Sequence, residues 1–183
     1  MKNPYKQPIN IDKILFSEQT IIDRVKELGK IITNDYHNSD LVLVCILKGA
    51  LVFSADLIRC IDLHMDLDFI QVSSYGDRME SSGKIGFIRD IATNIEKRNI
   101  LVVDDIIDSG LTLSYVKDHL FTMNPSSIKI CVLLNKTSRR INDINPDYVG
   151  FDIPDSFVVG YGLDFKEQYR GLRYIAILEA GLA

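Results

Sequence analysis

Hydrophobic positions along the chain alternate between helical spacing and short continuous runs, and this alternation predicts the elements. Ser17 reads as a helix N-cap, and Ile21, Ile22, Val25, Leu28, Ile31 and Ile32 follow at helical spacing. Leu41 to Leu47 is unbroken apolar sequence, the signature of a strand buried on both faces of a parallel sheet. It stops at Lys48-Gly49, and Ala50 to Ile61 then reads as a helix with Leu51, Phe53, Leu57 and Ile58 facing inward. Leu67 to Ser73 is a further strand, Ser74 to Lys84 a polar, Gly- and Ser-bearing loop, and Ile85 to Ile88 an antiparallel return. Ile100 to Val103 reads as a strand, Leu111 to Phe121 as a helix and Ile128 to Leu134 as a strand. Tyr148 to Ile153, Phe157 to Tyr161 and Tyr174 to Leu178 complete the series as β-type runs. Such alternation predicts an α/β fold with a mostly parallel sheet, in which ligands sit at the carboxyl ends of the strands.

Composition narrows the function classes. A chain of 183 residues, 46% hydrophobic and 25% charged, fits one ordinary globular domain spanning 1–183. A net charge of -4 gives no general attraction for nucleic acid or an acidic membrane surface. No apolar stretch approaches the roughly 20 residues that cross a bilayer. Met1 to Asn10 carries no signal-peptide core. Cys45, Cys60 and Cys131 are too few and too scattered for a disulfide framework or zinc knuckle. A cytoplasmic protein with neither nucleic-acid nor membrane partners is expected.

Two predicted strand ends carry unusual polar chemistry: Leu47-Lys48-Gly49, and Asp104-Asp105-Ile106-Ile107-Asp108-Ser109-Gly110-Leu111-Thr112. Three carboxylates within five positions after an apolar strand repel one another and resist burial. A cation or a set of hydroxyl donors would relieve them. Neighbours on a strand point to opposite faces, so Asp104 and Asp105 are expected to act differently. Asp108 to Thr112 opens a helix whose free N–H groups and hydroxyls form an anion cradle, with Gly110 permitting close approach. Diol-binding carboxylates beside a phosphate cradle fit ribose 5-phosphate. An EF-hand is excluded by the acid spacing. Ser74 to Lys84 is not a Walker A loop, since Ile85 stands where Ser or Thr is required. His37, His64 and His119 lack ligand spacing, and Asp66-Leu67-Asp68 reads as a solvated strand face.

The string from Val102 to Thr112 resembles the phosphoribosyl-diphosphate (PRPP) signature of type I phosphoribosyltransferases. Its order, Asp-Ile-Ile-Asp-Ser-Gly-x-Thr, is similar to the 6-oxopurine branch, the hypoxanthine-guanine phosphoribosyltransferases. Leu47-Lys48-Gly49, Ser73-Ser74-Tyr75-Gly76, Leu134-Asn135-Lys136, Phe157-Val158-Val159-Gly160-Tyr161 and Leu163-Asp164 with Arg170 match that branch in order. The resemblance implies the type I phosphoribosyltransferase fold: a mostly parallel twisted sheet flanked by helices, a flexible active-site loop, and a small hood from the N-terminal and C-terminal segments.

It further implies transfer of ribose 5-phosphate from PRPP to hypoxanthine or guanine in purine salvage, with Mg²⁺ as cofactor. An RNA-binding regulator on the same fold and an enzyme for another base, such as xanthine, are the alternatives. Asp108 would be the general base. Asp104 and Asp105 would hold the ribose hydroxyls directly or through Mg²⁺, and Ser109, Gly110, Leu111 and Thr112 the 5′-phosphate. Asp104 departs from the usual pattern, which has Glu there. Lys48, Gly49, Ser74, Tyr75 and Arg170 would bind pyrophosphate, with a non-proline cis peptide often preceding the Lys. Ser74 to Lys84 would be a lid. Lys136 would read the exocyclic oxygen, Phe157 stack on the base, and Val158 offer backbone groups to its edge. Asp164 would join Asp104 and Asp105 as a metal ligand beside the purine. A homodimer or homotetramer is expected.

Overall fold

The computed structural model describes residues 11–74 and 85–178. The main sheet has six strands: β2 (Leu41–Leu47), β3 (Met65–Ser74), β4 (Ile85–Arg89), β5 (Asn99–Ile107), β6 (Ser127–Asn135) and β7 (Tyr148–Asp152), in the order β4-β3-β2-β5-β6-β7. All pairings are parallel except β3 with β4, where Val72 lies opposite Phe87. A second, three-stranded antiparallel sheet joins β1 (Ile11–Phe16) to β9 (Ile175–Leu178) and β9 to β8 (Val158–Val159).

Strand alternation divides the core into two layers. Leu41, Leu43, Cys45, Leu101 and Val103 pack on one side with α1 (Glu18–Asp35) and α2 (Leu51–Ile58). Val42, Val44, Ile46, Ile100 and Val102 pack on the other with Leu113, Val116 and Leu120 of α3 (Leu111–Phe121). Most of these side chains have no exposed surface, and each contributes about 1.5–3 kcal/mol of burial. Covering both faces is what permits β2 to be apolar throughout. Ser17 caps α1 as expected, its Oγ accepting the Thr20 N–H at 3.2 Å.

Several expectations are corrected. Leu51 is 48% exposed, because α2 begins only there and turns Phe53 and Leu57 inward, with Ser54 beside them. The run from Phe157 to Tyr161 shortens to a two-residue strand, since Gly160 (φ 100°) and Tyr161 (φ 52°) are left-handed and bend the chain away. Asp68 is not solvated. It is 4% exposed and its carboxylate accepts the Phe69, Ala92 and Thr93 N–H groups, each at 2.7 Å. Burial alone would raise its pKa, but these donors hold it below the ordinary carboxylate value. Asp66 does lie outward, paired with Arg98 at 2.7 Å. His119 is structural, packed on Phe87 and paired with Asp90.

Candidate active site

β5 runs through the acids instead of ending before them, so Asp104 and Asp105 belong to the strand and its bonding to β6 continues to Ile107. This corrects the strand boundary at Val103, and it fixes both acids rigidly at the carboxyl ends of β2 and β5. There a cleft of about 320 Å³ opens, lined by Gly49, Val72, Asp104, Asp105, Ile107 to Gly110 and Thr112. A larger groove of about 560 Å³ lies between α1, α2 and residues 170–173, but it is mainly apolar and holds none of these acids. The smaller cleft carries the chemistry.

Asp104 is 7% exposed, and its Oδ1 accepts the Asp105 N–H at 3.0 Å. Asp105 Oδ1 accepts the Ile106 N–H at 2.9 Å. Strand neighbours point apart at their Cβ atoms, yet each carboxylate turns back onto a backbone N–H, that of Asp104 onto the N–H of Asp105 itself. Burial, then the neighbouring Asp105 charge, lifts the pKa of Asp104 well above the usual range. Burial also raises Asp105, opposed by hydrogen bonds from Asp104 and the backbone and by the charge of Arg170. A hard divalent cation suits this pair: the donors are all oxygen, buried and mutually repelling. Among the described residues no three acids, His or Cys converge to hold a metal alone, so ligand oxygens would have to complete the shell.

Asp105 also explains Gly49. A Cβ at Gly49 would overlap the Asp105 carboxylate, so only glycine lets the end of β2 approach the acid this closely. The Leu47–Lys48 peptide is cis. Lys48 points its Nζ outward to Glu167 Oε1 at 3.1 Å. Beyond the acids, Gly110 takes φ 83° and N-caps α3, while the Leu111 N–H bonds to Ser109 Oγ at 3.3 Å. Arg140 braces this turn from below: its Nε donates to the Asp108 carbonyl at 3.2 Å and its Nη2 to Asn135 Oδ1 at 2.7 Å. The Ile141 N–H donates to the Ser109 carbonyl at 3.0 Å.

Lys136 follows β6 and its side chain is only 6% exposed. Its Nζ lies 2.7 Å from Asp155 Oδ1 and 3.6 Å from Asp108 Oδ2. Asp108 Oδ1 is buried without a hydrogen-bond partner among the described residues. An ammonium donor and an unsatisfied acceptor thus stand side by side at the cleft. Phe157 is 44% exposed, not a core residue, and meets Phe165 edge-on at 5.6 Å, which leaves ring surface open. Opposite Val158 is Ile177, and the Leu178 N–H donates to the Phe157 carbonyl at 3.1 Å. In that antiparallel pattern the Val158 N–H and C=O point to the free edge of β8.

Asp164 and Arg170 are brought together, with Arg170 Nη2 2.7 Å from Asp164 Oδ1. Asp164 Oδ2 accepts the Glu167 N–H at 2.8 Å, so this acid is engaged within its own loop. Arg170 Nη1 donates to the Gly162 carbonyl at 2.8 Å, Nη2 also lies 3.4 Å from Glu167, and Nε is buried without a partner among the described residues. Ser74 ends β3, whereas Tyr75 and the expected lid to Lys84 lie outside the described residues. Sequence reasoning missed Asp155, Arg140 and Glu167. Each acts by a contact between distant segments, and no local pattern marks it.

Comparisons with known proteins agree with this geometry. A family model described as the phosphoribosyl transferase domain matches residues 13–166. The hypoxanthine-guanine phosphoribosyltransferase of Bacillus subtilis (strain 168) is 50% identical over 170 residues, covering 93% of this chain and 94% of the relative. That of Streptococcus thermophilus (strain CNRZ 1066) is 46% identical with the same coverage. The structure of a hypoxanthine phosphoribosyltransferase from Staphylococcus aureus superposes with a TM-score of 0.89 at 44% identity, covering 93% of this chain and 92% of that one. A hypoxanthine-guanine phosphoribosyltransferase from Bacillus anthracis gives 0.87 at 46% identity, covering 93% and 100%.

Proposed function

The chain belongs to the phosphoribosyl transferase domain family, and from that premise we propose that it salvages purines, transferring ribose 5-phosphate from PRPP to hypoxanthine and guanine with release of pyrophosphate. The observation that carries the base assignment is the pairing of a buried Lys136 with Asp108 across 3.6 Å. A 6-oxopurine presents a carbonyl oxygen beside ring nitrogen N7, so the ammonium donates to the oxygen while the carboxylate takes the adjacent ring proton. A 6-amino group would set donor against donor and leave Lys136 unmatched. The relatives favour this enzyme over an RNA-binding regulator.

The resemblance, and for the described residues their positions, support the remaining roles. Ser109, Gly110, Leu111 and Thr112 cradle the 5′-phosphate at the start of α3. Asp104 and Asp105 would hold the ribose hydroxyls, directly or through a magnesium ion completed by oxygens of PRPP. Asp164, which does not converge with them, would hold magnesium at a separate position together with ligand oxygens. When bound, magnesium supplies positive charge to the leaving pyrophosphate. Lys48, Gly49, Ser74, Tyr75 and Arg170 bind the diphosphate. Phe157 stacks on the base and Val158 offers it backbone groups.

β1, β8 and β9 serve as the hood of a single domain, 1–183. No described helix is long and apolar enough to cross a membrane, and we place the enzyme in the cytoplasm. A homodimer or homotetramer is proposed from the family resemblance alone. The test is pyrophosphate release from PRPP and hypoxanthine with Mg²⁺. Stoichiometric inosine monophosphate is the expected product, and its absence would overturn the proposal.

A further inference from the structure

We propose that Asp155 is the positioning residue for Lys136 and that, through it, Asp155 sets the preference of the site for a 6-oxo over a 6-amino purine. The inference rests on the purine-binding reading above and adds to it a residue that never touches the base. Lys136 has almost no solvent to satisfy its charge, since its side chain is 6% exposed. A buried ammonium needs a counter-charge, and the nearer one is Asp155 at 2.7 Å, not Asp108 at 3.6 Å.

The carboxylate of Asp155 is itself fixed. The Ile153 N–H donates to the Asn135 carbonyl at 3.0 Å, locking the segment after β7 to the residue that precedes Lys136. The Ser156 N–H closes a turn onto the Pro154 carbonyl at 2.8 Å, with Asp155 between them. Arg139 Nε occupies the other side of the carboxylate, 3.0 Å from each oxygen. Both cations hold Asp155 below the ordinary carboxylate value, Lys136 more than Arg139.

An ammonium has three donor protons. Asp155 takes one and Asp108 faces a second, which leaves a third for the ligand's exocyclic oxygen. Without the Asp155 charge, the remaining carboxylate is Asp108, and Lys136 would close onto it. The donor would then leave the exocyclic position and the 6-oxo preference would fall.

The test is equilibrium binding of inosine and adenosine monophosphates to wild type, D155N and D155E, and to Lys136→Met with and without D155N. The wild type should prefer the 6-oxo nucleotide. D155N should reduce the ratio of the two dissociation constants by about tenfold, the size expected for one misplaced hydrogen bond to a charged group. D155E should restore most of it. In the Lys136→Met background, D155N should leave the ratio unchanged. Equal weakening of both nucleotides by D155N would mean a purely structural role and overturn the inference alone. A further drop in the ratio when D155N is added to Lys136→Met would do the same. A wild type that binds neither nucleotide would overturn the functional reading and the inference together.

Discussion

Replacing Asp108 with Asn removes the proposed proton acceptor while keeping its shape. Oδ1 of Asp108 is buried and free of partners among the described residues, so the amide enters the same space without breaking a bond there. Lys136 remains paired, because Asp155 at 2.7 Å is nearer than Asp108 at 3.6 Å. The backbone of residue 108 stays braced by Arg140, which contacts the carbonyl and not the side chain. Binding of PRPP should therefore hold within about threefold. The missing general base should lower kcat by about 100- to 10,000-fold, or roughly 3–5 kcal/mol of barrier. Single-turnover kinetics with saturating PRPP and hypoxanthine would separate the chemical step from product release. A D108N enzyme whose chemical step stays within tenfold of wild type would refute the role of Asp108.

Three further outcomes follow from the same contacts. Gly49→Ala should lower kcat/KM for PRPP by more than about tenfold, because its Cβ would overlap the Asp105 carboxylate; steady-state kinetics beside a thermal melt would distinguish this from unfolding. Glu167→Gln should lower the KM for PRPP by at most about fivefold, since it releases Lys48 from a solvent-screened carboxylate while Arg170 stays paired with Asp164; a raised KM would contradict this. Asp68→Asn should cost about 2 kcal/mol in urea unfolding at pH 7 by weakening three charge-assisted bonds. Because the pKa of Asp68 is lowered by folding, its contribution is present above the ordinary aspartate value near ~3.9 and lost as pH falls through the lower folded value. The gap between wild type and D68N should narrow over that acid range and not at higher pH.

Where burial is two-sided or strictly periodic, the chain announces its elements. β2 and α3 match their predicted bounds, Leu41 to Leu47 and Leu111 to Phe121, because apolar runs and helical spacing both come from the packing itself. β5 was cut short at Val103, since acids break an apolar pattern even when ladder hydrogen bonds continue beneath them. β1 went unread because no residue from Ile11 to Phe16 is buried and the segment becomes a strand only by pairing with β9, more than 150 residues later. The candidate site divides in the same way. Asp104 to Thr112 is contiguous, so its chemistry is legible as a string. The contacts of Asp155 with Lys136, Arg140 with the Asp108 carbonyl, and Glu167 with Lys48 exist only after folding. Asp68 shows the reverse error, since a polar residue on a strand reads as solvated until the loop that buries it is in place.

The central claim is that one cleft joins a PRPP site to a pocket that reads a 6-oxopurine. The most direct measurement is kcat/KM with PRPP and Mg²⁺ for hypoxanthine, guanine, xanthine, adenine and uracil in parallel. Hypoxanthine and guanine should exceed adenine and uracil by at least about a thousandfold, because a buried Lys136 left unmatched is costly. Turnover of adenine or uracil at a rate equal to or above that of hypoxanthine would contradict the account.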